Sequence, residues 1–162
     1  MRIQKESTHA LDKIDRRVLD LLQQNGRLSM TELADAVGLT VTPCIERVRR
    51  LERDGVIRGY HAQVSPAALD AGLLVFVEIT MSSKSERTFE EFRREVLCVP
   101  QVLECHLVSG DFDYMIKARI KEIGQYRNLL GDILLRLPGV TQTKSCVVME
   151  EVKETSFIPA QK

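Results

Sequence analysis

No apolar run approaches the roughly 18 residues that a membrane-spanning helix needs, so no membrane passage is expected. The opening residues, Met1 to Ser7, are polar and carry no apolar signal core, which points to a cytoplasmic protein. Cysteines and histidines are few, four and three. Cys44, Cys98, Cys105 and Cys146 stand far apart without a C-x-x-C pair, and His9, His61 and His106 complete no ligand set. A structural zinc site needs four converging ligands, usually from closely spaced pairs, so no metal and no cofactor of that kind is expected. The thiols read as reduced and mostly buried. Cys105 and His106 are adjacent, but neighbours on a strand point to opposite faces, which suits them poorly as nucleophile and base.

A surplus of either charge is missing too: 23 Lys and Arg stand against 23 Asp and Glu. Taken as an even spread, that balance argues against a nucleic-acid partner. The spread is uneven. Residues 1–60 carry 11 basic and 9 acidic side chains, and within 47–58 Arg47, Arg49, Arg50, Arg53 and Arg58 face only Glu52 and Asp54. What is present otherwise, 162 residues with 44% hydrophobic and 28% charged, suits a soluble globular chain of one large or two small domains.

Leu11, Ile14, Val18, Leu21 and Leu22 recur at helical spacing, with Asp12 or Asp15 in the opening turn and Asn25-Gly26 as the stop. Ser29 stands three residues before Glu32, a capping-box pattern, ahead of Leu33, Ala34 and Val37; Gly38 ends this short second helix. Thr40 and Thr42 offer caps for a third helix that continues through Ile45, Val48 and Leu51 to Asp54-Gly55, with Pro43 tolerated in its first turn. Residues 56–64 then read as extended. On a helical wheel Val41, Cys44, Ile45, Val48 and Leu51 fill an arc of about 120°. Thr42, Pro43, Glu46, Arg50 and Arg53 lie opposite, bordered by Arg47 and Arg49. A short helix, a tight turn and a longer helix with an arginine face make a helix-turn-helix signature, and arginine pairs bidentately with phosphates and guanine edges. An arginine-rich face alone is ordinarily solvated surface; with the preceding helix and turn it points to double-stranded DNA. Thr42, Pro43 and Glu46 are placed near base edges, Arg47, Arg49, Arg50 and Arg53 at bases or phosphates, and Ser29, Thr31 and Thr40 at the backbone.

Beyond Gly72 the pattern changes. Strands are expected over 73–80, 100–108, 113–120 and from Val140 to Met149, with helices over 86–97 and about 122–136, the latter carrying Ile123, Tyr126, Leu129, Leu130, Ile133 and Leu134. The order β-α-β-β-α-β is ferredoxin-like, and Val96–Val102 echoes Leu134–Val140. One sheet face remains for a partner subunit to cover. The expected division is 1–60 for a DNA-binding domain, 61–72 for an extended linker and 73–162 for the ferredoxin-like domain. At the turn 109–113, Gly110 lets backbone N–H groups approach a carboxylate, and Asp111 or Asp113 can accept an ammonium; equally, both aspartates can cap turn N–H groups. A ferredoxin-like enzyme using Asp111 and Asp113, or Glu104 with His106, and a simple interaction module are the rival readings.

Leu11-Asp12-Lys13-Ile14-Asp15, Thr42-Pro43-Cys44, Arg47–Glu52, Gly110-Asp111-Phe112-Asp113-Tyr114 and Leu135-Arg136-Leu137-Pro138-Gly139-Val140 together resemble the Lrp/AsnC (feast/famine) transcriptional regulators over residues 11–155. Leu74–Ile79, Glu104–Asp111 and Val147–Lys153 look closest to the leucine-responsive branch of that family. The resemblance implies an α+β chain: a winged helix-turn-helix joined to an effector-binding αβ-sandwich. It implies activation or repression of amino-acid metabolism genes without catalysis, and a homodimer formed through the sheet that assembles into octamers or hexadecamers. An amino-acid effector, leucine first, would bind between dimers. Leu107, Val108, Gly110, Asp111, Asp113, Tyr114, Cys146, Val147 and Val148 are the effector positions that the resemblance implies. Cys146 departs from it, standing where a larger, tyrosine-like side chain is expected.

Overall fold

The starts of the first two helices are set by capping chemistry. In the computed structural model, which describes residues 10–160 apart from the side chains of Leu130 and Asp132, α1 spans Lys13–Gln24. Asp12 caps it: its carboxylate accepts from the Asp15 N–H (2.7 Å), and Asp15 returns the bond to the Asp12 N–H (3.2 Å). Ser29 and Glu32 make the same reciprocal box ahead of α2, Met30–Val37, leaving fewer unpaired N–H groups at the helix start. Gly38 ends α2 at φ 71°, a left-handed cap that glycine adopts without cost. Helix α3, Val41–Arg53, follows Thr40, whose extended backbone begins the helix without a side-chain cap. Val18, Leu22, Leu33, Ala34, Cys44, Val48 and Leu51 form the shared core. The wheel's apolar arc is narrower than expected, because Val41 is exposed and Ile45 half-buried.

In the second half, β1 (Leu73–Met81), β2 (Val102–Leu107), β3 (Tyr114–Ile120) and β4 (Val140–Val147) form one antiparallel sheet in the order β2-β3-β1-β4. Helix α4, Glu86–Val96, begins at Ser85, whose hydroxyl accepts from the Thr88 N–H. Alternate residues Val75, Val77, Ile79 and Met81 of β1, with Tyr114, Ile116, Ala118 and Ile120 of β3, pack against Phe92, Val96, Leu129, Leu134 and Leu137. The second helical layer is less regular than its spacing predicts: a 3-10 turn at Ile123–Gln125, a π-type stretch over Asn128–Ile133 and another 3-10 turn at Leu134–Arg136. Gly124 and Gly131 weaken helix preference there. The other sheet face mixes Leu74, Phe76, Met115 and Cys146 with the ion pairs Lys144–Glu78 (3.5 Å) and Lys117–Glu104 (3.2 Å).

Two compact units result, one running to Gln63 and resumed from Lys153, the other Val64–Val152. The segment 153–160, expected with the second domain, belongs to the first. Its backbone is hydrogen-bonded by Arg16, Asp20 and Gln23 of α1. The thiols also differ from expectation: Cys44 is buried and Cys105 half-buried, but Cys98 and Cys146 are exposed. The polar N-terminal residues and the side chain of Leu130 lie outside the described residues, and no described helix is long and apolar enough to cross a membrane.

Candidate DNA-binding face and ligand loop

Helix α3 divides its polar residues into two sets. Thr42, Glu46, Arg49 and Arg53 are exposed, and their spacing of four, three and four puts them on one stripe. Arg47 and Arg50 turn instead toward the start of α1. Arg50 Nη2 donates to both oxygens of Asp15 at 2.6 Å, and Arg47 Nη1 reaches Asp12 (2.6 Å) and Asp15 (2.8 Å). Asp15 is only 1% exposed, whereas the arginine side chains keep 26% and 28%. A carboxylate so buried is tolerable because two guanidiniums satisfy it. The Asp15 N–H, and after it the Arg47 guanidinium, hold the Asp12 carboxyl below its usual range. The carboxylates of Asp12 and Asp15 in turn keep Arg47 more firmly protonated. Arg47 and Arg50, expected to lie free on the reading face, are therefore engaged in fixing α3 against α1.

The remaining positions differ in availability. Pro43 is half-buried in the first turn of α3, and Thr31 and Thr40 are exposed. The Ser29 hydroxyl is committed to Glu32 (2.7 Å). That bond and the Ser29 N–H keep the Glu32 carboxyl low and its charge at the α2 N-terminus. Arg58, beyond α3, is exposed, and Tyr60 donates to Glu52 (3.0 Å).

The ligand loop is likewise partly structural. Val108 N–H donates to the Asp113 carbonyl (3.0 Å), closing the turn around Gly110 at φ 145°. Asp113 is 5% exposed; its Oδ2 accepts from the Met81 N–H (2.8 Å), and Oδ1 lies 3.3 Å from the Lys84 ammonium. The pairing of β1 with β4 shifts register between Thr80 and Met81, and Asp113 supplies an acceptor for the N–H at that shift. Asp113, expected as an ammonium acceptor beside Asp111, has its carboxylate occupied. Tyr114 is also interior, its ring 4.4 Å from Phe92 and 5.8 Å from Phe89. Leu107, Gly110 and Asp111 remain exposed.

The second ligand segment lies elsewhere. Val147 is half-buried on the core face, Cys146 is exposed beside Phe76 on the other face, and Val148 donates its N–H to Leu74 (3.0 Å). Val147 pairs with Val75, whereas Tyr114 pairs with Ile79. Four residues of β1 separate the two segments, roughly 13 Å along the strand. One chain does not bring them together. Glu104 and His106 are exposed neighbours (3.1 Å) with Lys117 also on Glu104, and Cys105 points inward, its thiol pushed up to about 11 by burial. Among the described residues no three His, Cys, Asp or Glu side chains gather to hold a metal.

A three-helix unit with an exposed polar stripe behind a tight turn, joined to an α+β unit with an exposed Gly-Asp loop, is the architecture of a two-part DNA-binding regulator. The pattern described as winged helix-turn-helix DNA-binding matches residues 11–58, and that described as Lrp/AsnC ligand binding domain matches residues 74–158. The chain is 52% identical over 157 residues to a leucine-responsive regulatory protein of Haemophilus influenzae, covering 97% of this chain and 95% of that one. It is 56% identical over 146 residues to the one of Escherichia coli K12, covering 90% and 89%. A transcriptional regulator of Neisseria meningitidis, solved as a complex with L-Met, superposes with a TM-score of 0.87 at 35% identity, over 93% of this chain and 97% of that one. The chain belongs to the Lrp/AsnC family of transcriptional regulators.

Proposed function

We propose that this chain regulates amino-acid metabolism genes by inserting α3 into the major groove, its DNA occupancy or assembly being set by an amino acid, leucine first. The observation that carries the DNA half is the exposed stripe Thr42, Glu46, Arg49 and Arg53 on the helix after the tight turn. Thr42 and Glu46, near the N-terminal end of α3, suit base edges; Arg49 and Arg53 suit phosphates or guanine. Thr31, Thr40 and Pro43 border that contact, and Ser29 contributes chiefly by fixing α2.

For the effector, Gly110 and Asp111 offer N–H groups and a carboxylate at an exposed turn, complementary to an amino acid's two charges. Cys146 and Val148 lie too far along the sheet to join them within one chain, so the complete pocket draws on more than one subunit. That agrees with a homodimer through the face bearing Leu74, Phe76 and Met115, assembling into octamers or hexadecamers. The names of the relatives favour leucine, and the L-Met complex keeps methionine as the second candidate. The reading is of a cytoplasmic regulator without catalysis: the Asp113 carboxylate is bonded to backbone and the Glu104–His106 pair is solvated.

Calorimetry against the twenty amino acids, with light scattering to follow assembly, tests it. Leucine is expected to bind and to change particle size, and Asp111→Ala to remove both while leaving the melting temperature unchanged. Absence of binding by every amino acid would overturn the effector reading and leave the DNA reading standing.

A further inference from the structure

The C-terminal segment carries an arrangement that neither the α3 stripe nor the ligand loop uses. Residues 153–160 run without helix or strand, within the same unit as α1. Gln23 donates from Nε2 to the Ile158 carbonyl and accepts at Oε1 from the Ile158 N–H, both at 2.8 Å. Asp20 Oδ1 accepts from the Ala160 N–H (2.8 Å), and Arg16 Nη1 donates to the Ala160 carbonyl (2.8 Å). Arg16, Asp20 and Gln23 share one helix face, spaced by four and three; Ile158 and Ala160 are alternate residues of an extended chain. Both residues have donor and acceptor engaged, as when a strand is added to a sheet edge.

All four bonds go to tail backbone, and the Ile158 side chain is 71% exposed. These four bonds therefore read an extended main chain and not the Ile158 side chain. Asp20 matches the tail chemically. This carboxylate in α1 is 7% exposed, and the Ala160 N–H is its hydrogen-bond partner. With the tail seated this carboxylate is withdrawn from water, and the Ala160 N–H compensates the lost solvation. Pro159 holds the segment in shape by fixing its own φ and steering Ile158 away from helix.

The same segment is also anchored upstream. Arg119, 7% exposed, grips Glu151 with two bonds of 3.0 and 2.6 Å. Val148, at the end of the proposed effector strand, lies three residues earlier. Only residues 152–157 separate the anchored Glu151 from the anchored Ile158.

We propose that the Arg16–Asp20–Gln23 face of α1 is a latch for the extended C-terminal segment. Effector-driven movement of the strand bearing Cys146 to Val148 reaches the helix-turn-helix by pulling on that latch. The transmission step rests on the proposed amino-acid response; the latch does not.

The test uses the full chain. Ala160→Pro removes the N–H that Asp20 accepts from, while Ala160→Ser and Ile158→Ala keep every backbone group. Gln23→Ala, at an exposed position, removes two bonds without disturbing the core. Hydrogen exchange of α1 and of residues 153–160 is followed by mass spectrometry, leucine binding by calorimetry, and DNA affinity with and without leucine. Ala160→Pro and Gln23→Ala are expected to speed tail exchange at least tenfold and to abolish the leucine-induced change in DNA affinity. Leucine binding and leucine-free DNA affinity stay within about twofold, and the two conservative variants match the parent. Unchanged exchange in Gln23→Ala overturns the latch. Faster exchange with the leucine response intact overturns the transmission. If the parent chain binds no leucine by calorimetry, the effector reading and the transmission fall together, and exchange alone decides the latch.

Discussion

Replacing Arg50 by alanine separates two roles that its place on α3 would otherwise confuse. Its guanidinium contacts both oxygens of Asp15, which is 1% exposed and bonded also to Arg47. Breaking a buried charge pair by removing one partner costs about 3–5 kcal/mol. Here the Arg50 side chain keeps 28% exposure, and Arg47 still neutralises part of the Asp15 charge, so about 2–3 kcal/mol is the appropriate figure. In urea, with a slope of about 1 kcal/mol per molar for so small a unit, that lowers the midpoint by about 2–3 M. Arg50 also makes no phosphate contact if it stays on Asp15. The salt dependence of DNA binding in Arg50→Ala should then remain that of the parent, whereas Arg49→Ala on the exposed stripe should flatten the slope by about 0.9 for each chain on the DNA, about 1.8 for a dimer. Equilibrium unfolding and filter binding between 50 and 200 mM salt, measured on both variants under native conditions, give the comparison. A loss under about 1 kcal/mol in Arg50→Ala, together with a slope reduced by a full charge, would place Arg50 on the DNA and refute the division of α3 argued above.

Asp113→Ala strands the Met81 N–H at the end of β1 and should cost about 1–3 kcal/mol, whereas Asp113→Asn keeps an acceptor and should cost less; equal thermal shifts would deny that bond its role. The Tyr60 phenol is pushed up to about 12 by burial and then by Glu52, so the neutral form is the one the fold favours. Its contribution to stability is present below the ordinary value of 10.0 and is lost as pH rises through about 12; ultraviolet titration of the parent minus Tyr60→Phe should show that late step, and a step near 10 would contradict it. A Cβ at Gly139, where φ is 76°, would overlap the Thr88 side chain, so Gly139→Ala should destabilise by more than the backbone penalty of about 1–2 kcal/mol. Gly38, at φ 71°, faces open space, and Gly38→Ala should cost only that penalty; identical losses in urea would show that crowding at Gly139 is irrelevant.

Local chemistry was the readable part of this chain. The Ser29–Glu32 capping box lies within three residues, Gly38 is the left-handed stop its position implies, and the succession of strands and helices follows from alternation and turns, whereas the sheet order β2-β3-β1-β4 does not. The arginine face was only half readable. A helical wheel places Arg50 opposite the core, but the partner that draws it inward is Asp15, 35 positions away, and no wheel contains that residue. Asp113 shows the same limit: its role depends on a register shift at Met81 that side-chain alternation does not announce. The second helical layer kept its extent but not its regularity, since the spacing of its apolar residues does not distinguish α from π turns. The seat for the tail on α1 was visible only as a polar i, i+4, i+7 face, a pattern shared with any solvated helix.

The cancelled charge can now be apportioned. Arg47 and Arg50 are balanced by Asp12 and Asp15, which leaves Arg49, Arg53 and Arg58 as the exposed cations in and just after α3. Three phosphate contacts give a salt slope of about −2.7, so a single chain would lose only about 40-fold in affinity between 50 and 200 mM salt. Two chains acting together double the slope to about −5.4 and lose about 2,000-fold. Dimerisation through the sheet face is the proposed source of that second set. Phe76→Lys, which places a charge on that face beside Cys146, should therefore halve the slope as well as weaken binding. A variant that is monomeric by light scattering yet keeps the parent slope would mean that more cations per chain meet DNA than the α3 stripe and Arg58 provide. The internal pairing of Arg47 and Arg50 would then have to open on binding.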